Sequence, residues 1–234
     1  MKIALCLSGQ ARSFEKGYEY YKKNLLDKYN VDVFIHSWKF EQQEHYVDLY
    51  KPKEFTFATT LHGDYDEKYT HTPDPVKFPP RFTVSMLFSM FHVSKILTMY
   101  QMKNNLQYDW VIRSRPDYAL NTVIPFGDLD NSKLYIPNCR MVPERDFGND
   151  QFAFSSSENM LKYMSTFALM EHYYTDLNTL FIGENLMQAN LREHNLHGEN
   201  LVYVDMKNPF PPGKHNGTWH SLIRDDYEQW TQKS

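Results

Sequence analysis

The chain has 234 residues, of which 41% are hydrophobic and 16% aromatic, a composition that excludes intrinsic disorder because enough apolar surface is available to offset the ordering entropy. Lys and Arg number 25 against 29 Asp and Glu, a net charge of −4, so no overall basic field draws the protein to nucleic acid. Two cysteines, Cys6 and Cys139, cannot build a disulfide scaffold and suit a reducing compartment.

The opening Met1–Leu7 is too short for a signal h-region, and no apolar run approaches the ~20 residues that span a bilayer. A cytoplasmic location with no membrane span is expected, with the Asn216-Gly217-Thr218 sequon unused. At ~150 residues per domain, the length favours one large domain over residues 1–234.

Ile3–Leu7 is a continuous apolar run closed by Ser8-Gly9, the pattern of a strand buried on both faces. Ser13–Tyr29 reads as an amphipathic helix with Phe14, Tyr18, Tyr21 and Leu25 on one stripe, and Val31–Ile35 as a second strand. Strand, helix and strand in succession make a βαβ unit and imply a parallel sheet. Between Glu41 and Pro80 the pattern is irregular: Phe55–Phe57 is a short strand, and Gly63–Pro80 a polar surface loop. Thr83–Asn105 is the strongest helix, followed by a buried strand at Trp110–Ile112. Further strands are expected at Leu134–Pro137, Phe152–Phe154 and Leu201–Val204, and helices at Ser157–Tyr173 and Glu184–His194. The tail from Pro209 is expected to pack over the body, where His215 and His220 are the histidines to watch as ligands. The fold class is α/β, a mostly parallel mixed sheet flanked by helices.

Common site signatures are absent. The 9 glycines form neither Gly-x-Gly-x-x-Gly nor a Walker A loop, and His-Glu-x-x-His, Gly-x-Ser-x-Gly and Cys-x-x-Cys do not occur. Charged residues at strand ends remain, where α/β sheets bind their ligands. In Ser8-Gly9-Gln10-Ala11-Arg12, the backbone N–H groups, the Ser8 hydroxyl and Arg12 can hold a phosphate, or the segment is a capped βα turn with Arg12 solvated. Arg113-Ser114-Arg115-Pro116-Asp117 follows an apolar strand, where such charges meet anions or a metal, or pair with one another. Asp150 is either a turn-former or a site carboxylate. Glu184 is either an acid favoured by a helix dipole or a carboxylate projecting into a cleft. The triplets Asp64-Tyr65-Asp66 and Asp128-Leu129-Asp130 lack a strand-end context and read as solvated turns.

Five blocks in order, residues 3–12, 32–38, 108–117, 149–154 and 183–186, resemble GT-A-type glycosyltransferases of the WavE-like group and related bacterial capsule, lipopolysaccharide and viral sequences. The resemblance implies a single nucleotide-diphospho-sugar transferase domain, with residues 1–117 as the nucleotide half and 118–234 as the acceptor half with its tail. It implies transfer of a sugar from a nucleotide-diphosphate donor to a hydroxyl of a glycan acceptor. Ser8, Gly9, Gln10, Arg12, Arg113 and Arg115 would bind the donor, Asp117 would hold Mn²⁺ or Mg²⁺, and Asp150, or else Glu184, would be the general base. The family's metal-binding Asp-x-Asp aligns with Arg115-Pro116-Asp117, so its first carboxylate is an arginine here. Trp38, Tyr118 and Trp219 are candidates to stack on sugar or base. A nucleotide-dependent sulfotransferase and a non-catalytic glycan-binding protein are the alternatives.

Overall fold

A computed structural model describes residues 1–76, 79–137, 149–204 and 223. The apolar run at the N-terminus becomes β1 (Ile3–Ser8), every residue of which is buried. It lies inside one seven-stranded sheet of order β3-β2-β1-β4-β6-β5-β7, with β2 at Val31–Trp38, β3 at Glu54–Ala58, β4 at Trp110–Ser114, β5 at Leu134–Pro137, β6 at Phe152–Ser155 and β7 at Leu201–Val204. Strands β3, β2, β1 and β4 run parallel, whereas β6 is inserted antiparallel between β4 and β5.

Alternation along β1 divides two cores. Ile3, Leu5 and Leu7 face a cluster built with α1 (Phe14–Tyr21) and α2 (Gln43–Tyr50). Ala4 and Cys6 face a larger one built with α4 (Pro80–Asn104), α5 (Ser157–Tyr163), α6 (Thr166–Thr175) and α7 (Gly183–Glu193); a single-turn α3 (Tyr65–Lys68) packs beside α4. By length and composition α4 could cross a membrane, but here Val84, Leu87, Met90, Val93 and Leu97 are buried in the protein core.

The structure departs from the sequence expectations in several places, among them α3 inside the stretch expected as a polar surface loop and a β2 that runs on from Ile35 to Trp38. The first helix ends at Tyr21 and widens into a π-helical turn over Lys22–Leu26, where Asn24 turns inward to donate to the Leu120 carbonyl at 2.7 Å. Residues 43–50, expected as irregular chain, are helical, with Tyr46 and Tyr50 buried four residues apart. The helix expected over Ser157–Tyr173 is broken at Met164–Ser165 because the Lys162 carbonyl accepts from the Ser165 hydroxyl at 2.7 Å and the Asn190 amide at 2.9 Å.

Candidate functional site

The chain order visits β1, β2 and β3 on one side and then β4 on the other, so the order reverses between β1 and β4. Ligands bind beyond the carboxyl ends of strands at such a point. Ser8 ends β1 beside the register pair Leu7–Ser114, and Arg113 lies next to Cys6. The Arg113 Nε donates to the Ser8 hydroxyl at 3.0 Å. Arg113 is 1% exposed, makes no ion pair among the described residues, and leaves its buried Nη1 without a hydrogen-bond partner. Burial pushes its pKa down, while Tyr163 and Asp150 pull it back.

Arg115 meets a different environment. Its Nε and Nη2 donate in a fork to the two oxygens of Asp117, at 2.8 Å each. Asp117 is fully buried, whereas the Arg115 side chain is 21% exposed. Burial opposes the Arg115 charge, but Asp117, with Asp150 helping, holds the pKa above its ordinary value. The loop is fixed from α1: the Tyr21 hydroxyl donates to the Arg115 carbonyl at 2.7 Å and shares a 2.6 Å bond with Ser114 Oγ. Gly17 permits this approach, because a Cβ there would stand 1.9 Å from the Pro116 carbonyl oxygen.

Since β6 runs antiparallel to β4 and pairs Phe152 with Ser114, the residues just before β6 come to the end of β4. Asn149, not Asp150, forms the turn: its Oδ1 accepts from the N–H groups of Gln151 at 2.8 Å and Phe152 at 3.3 Å. Tyr163 of α5 donates its hydroxyl to the Asn149 carbonyl and anchors the loop. Asp150 is left to act on both guanidinium groups and on Glu184.

Glu184 is the second residue of α7, where the helix dipole favours a negative charge. Burial and the neighbouring Asp150 carboxylate outweigh that, and its pKa is pushed up to about 7 against an opposing backbone hydrogen bond. The α7 N-terminus is seated by Gly183, whose added Cβ would fall 2.6 Å from Met86 Cε of α4.

Gly9 adopts φ +109°, a region that favours glycine, but its N–H is turned inward onto Ser89 Oγ at 2.8 Å. Its carbonyl accepts from Ser37 Oγ at 2.8 Å, so Gly9 contributes the turn itself. Ser89 also meets His36 Nδ1 at 2.8 Å, tying α4 to the ends of β1 and β2. Burial, with His92 adding, lowers the His36 pKa to about 4. Gln10 and Arg12 are exposed beside this turn and are not drawn into the cluster by any described contact.

Other sequence candidates fall elsewhere. Tyr118 is a core residue, its ring stacked on Phe152 at 4.8 Å, because the chain after Asp117 turns back under the sheet end. Trp38 is half-buried and stacks on Phe88. Asp130 caps Ser132 in a turn as expected, whereas Asp66, expected in a solvated turn, lies in α3 and pairs with Arg81. Trp219, His215, His220, Cys139 and the sequon lie outside the described residues.

A cation at Asp117 would need several oxygen ligands in reach. Both Asp117 oxygens instead hold the Arg115 fork in a buried position, and no group of three or more His, Cys, Asp and Glu side chains suited to a metal occurs among the described residues. The residues present do not fit a metal there.

Sequence reading assembled Ser8, Arg113, Arg115, Asp117, Asp150 and Glu184 but missed the supports Tyr21, Tyr163, Gly17 and Ser89. A tyrosine on an apolar stripe was the available signal, since a buried hydroxyl requires a partner.

No family model matches the sequence, and neither does any curated protein. Among solved structures, the chain is similar to mouse xyloside xylosyltransferase 1 in its apo form, at 11% identity and a TM-score of 0.46, over 88% of this chain and 86% of that one. A likeness of that extent assigns no role to any residue.

Proposed function

We propose that the protein is a glycosyltransferase of GT-A type that moves a sugar from a nucleotide-diphosphate donor to an acceptor hydroxyl of a glycan. One observation carries the reading: a fully buried Arg113, without an ion pair among the described residues, stands at the sheet's switch point within the field of the Asp150 carboxylate. An uncompensated buried guanidinium is expensive in a folded protein, and an anionic ligand removes the expense. Two carboxylates beside the anion site supply the second requirement of the reaction, a base for the acceptor hydroxyl.

In this reading Arg113 and Arg115 take the diphosphate, with Ser8 orienting Arg113 through its hydroxyl. Gly9, Gln10 and Arg12 border the nucleotide on the β1 side. A carboxylate removes the acceptor proton as the acceptor oxygen bonds to the anomeric carbon. The bond from that carbon to the diphosphate breaks, and its electron pair leaves on the nucleoside diphosphate. The guanidinium charges stabilise that leaving group. Glu184 suits the base, because its pKa of about 7 matches neutral pH, and Asp150 sustains that pKa from beside it. Asp150, the first choice from sequence, is the alternative base.

Thermal-shift and calorimetric titration of the whole chain with UDP, GDP and a sulfated adenine nucleotide tests the reading. One of the diphosphates at ~100 times its Kd should add about 2.7 kcal/mol and raise Tm by roughly 5–10 °C. A response only to the sulfated nucleotide would make the protein a sulfotransferase, and a response only to free sugar a glycan-binding protein. With donor and acceptor identified, Glu184→Gln should keep diphosphate binding and lose turnover at least 100-fold.

A further inference from the structure

We propose that the Arg115 guanidinium, held by Asp117, takes the place of a divalent cation, so that the nucleoside diphosphate binds without metal. The proposal rests on the glycosyl-transfer reading and deepens it. Three observations carry it. First, the Asp117 carboxylate is fully buried and gives both oxygens to one guanidinium at 2.8 Å. A cation bound to those oxygens would either displace that guanidinium or stand against it as a second positive charge.

The second observation is that Arg115 is not used up by the pair. Nε and Nη2 face Asp117, whereas Nη1 makes no hydrogen bond with any described residue and the side chain is 21% exposed. The fork holds the guanidinium plane rigidly and leaves one edge to donate outward. Third, the backbone beneath is over-determined: Tyr21 bonds the Arg115 carbonyl, and Pro116 lies against Gly17. A positive group fixed at a strand end, next to the buried Arg113, supplies the preorganised charge that a cation supplies elsewhere. Asp117 is then a positioning residue rather than a metal ligand.

The test is calorimetric titration of the full chain with UDP and with GDP, in EDTA and in excess Mn²⁺. The expected result is a Kd that changes less than threefold between the two conditions. Arg115→Met should weaken that binding at least tenfold in EDTA, and Arg115→Lys, which keeps the charge but loses the fork, should fall between. Circular dichroism checks folding; should Arg115→Met fail to fold, the double variant R115M/D117L removes both charges together and is read instead. Binding that requires Mn²⁺, or an Arg115→Met variant that binds as the wild type does, overturns the proposal and leaves glycosyl transfer standing. Binding of neither nucleotide in either condition overturns both.

Discussion

Two arginines stand two residues apart at the end of β4, and the molecule treats them in opposite ways. Arg113, on the α4–α5–α7 side, is buried with one hydroxyl partner and no carboxylate in ion-pair contact among the described residues. Arg115 is partly open to solvent, yet is paired bidentately with a buried carboxylate. The end of β4 at Ser114 causes the difference, because positions 113 and 115 share a parity and alternation alone would set both on one face. Position 113 points to the face that brings Tyr163, Asp150 and Glu184, whereas the chain beyond 114 leans on the tyrosines of α1 and α2. The lesson is that burial and pairing do separate jobs: the carboxylate fixes the plane of the partly exposed arginine, whereas the buried one has no carboxylate partner among the described residues.

The largest expected effect breaks the paired side. Asp117→Ala removes the fully buried member of the pair and leaves Arg115 unpaired, and about 3–5 kcal/mol should be lost, a fall in Tm of roughly 10 °C. Arg113→Met is the counterpart, because it replaces a buried charge, unpaired among the described residues, by an apolar side chain. Its Tm should hold or rise while stabilisation by the nucleoside diphosphate disappears. An Asp117→Ala protein as stable as wild type, or an Arg113→Met protein that loses several kcal/mol, would reverse the contrast.

Gly17→Ala sharpens it. A Cβ 1.9 Å from the Pro116 carbonyl forces α1 and the Arg115 loop apart, at about 1–3 kcal/mol. Diphosphate binding should weaken with it, since Arg115 moves with its loop while Arg113 is held in the β4 ladder. Thermal melts and titrations of this variant would show whether the two guanidinium groups must keep their mutual spacing.

The smallest effect concerns pH. The Glu184 pKa in the folded protein, about 7, lies above its ordinary value of 4.5, so the folded state holds this proton longer than the unfolded chain does. Its contribution to stability is therefore fully present below about pH 4.5 and is lost as pH rises through 7. Glu184→Gln cannot lose that proton, and its Tm relative to wild type should climb across this window. After screening of a half-buried group, the climb corresponds to about 1–2 kcal/mol. A flat difference between pH 4.5 and 8 would show that Glu184 ionises normally and would remove it as the base.

How much of this was legible beforehand depends on range. The strand end at Ser8 and the approximate end of β4 were readable because apolar runs stop abruptly at polar residues, although β4 runs two residues past Ile112 to Ser114. The α2 helix was not, although Tyr46 and Tyr50 are four apart, because its charged and polar residues dilute a stripe only two aromatics wide. The break at Met164–Ser165 was invisible, since the Asn190 amide that helps satisfy the Lys162 carbonyl comes from another helix. At the site, the choice between an ion pair and a metal ligand for Asp117 could not be read, because both use the same residues in the same order.

Local chemistry alone decided the alternation of strands and helices, the burial of β1 and the concentration of charge at the end of β4: each follows from side-chain type and short-range period. Tertiary structure decided the rest. The antiparallel insertion of β6 carries Asp150 to the end of β4, and α7 delivers Glu184 beside it. A carboxylate's pKa and a guanidinium's partner are set by what lies within a few ångströms, and those neighbours come from segments tens of residues away along the chain.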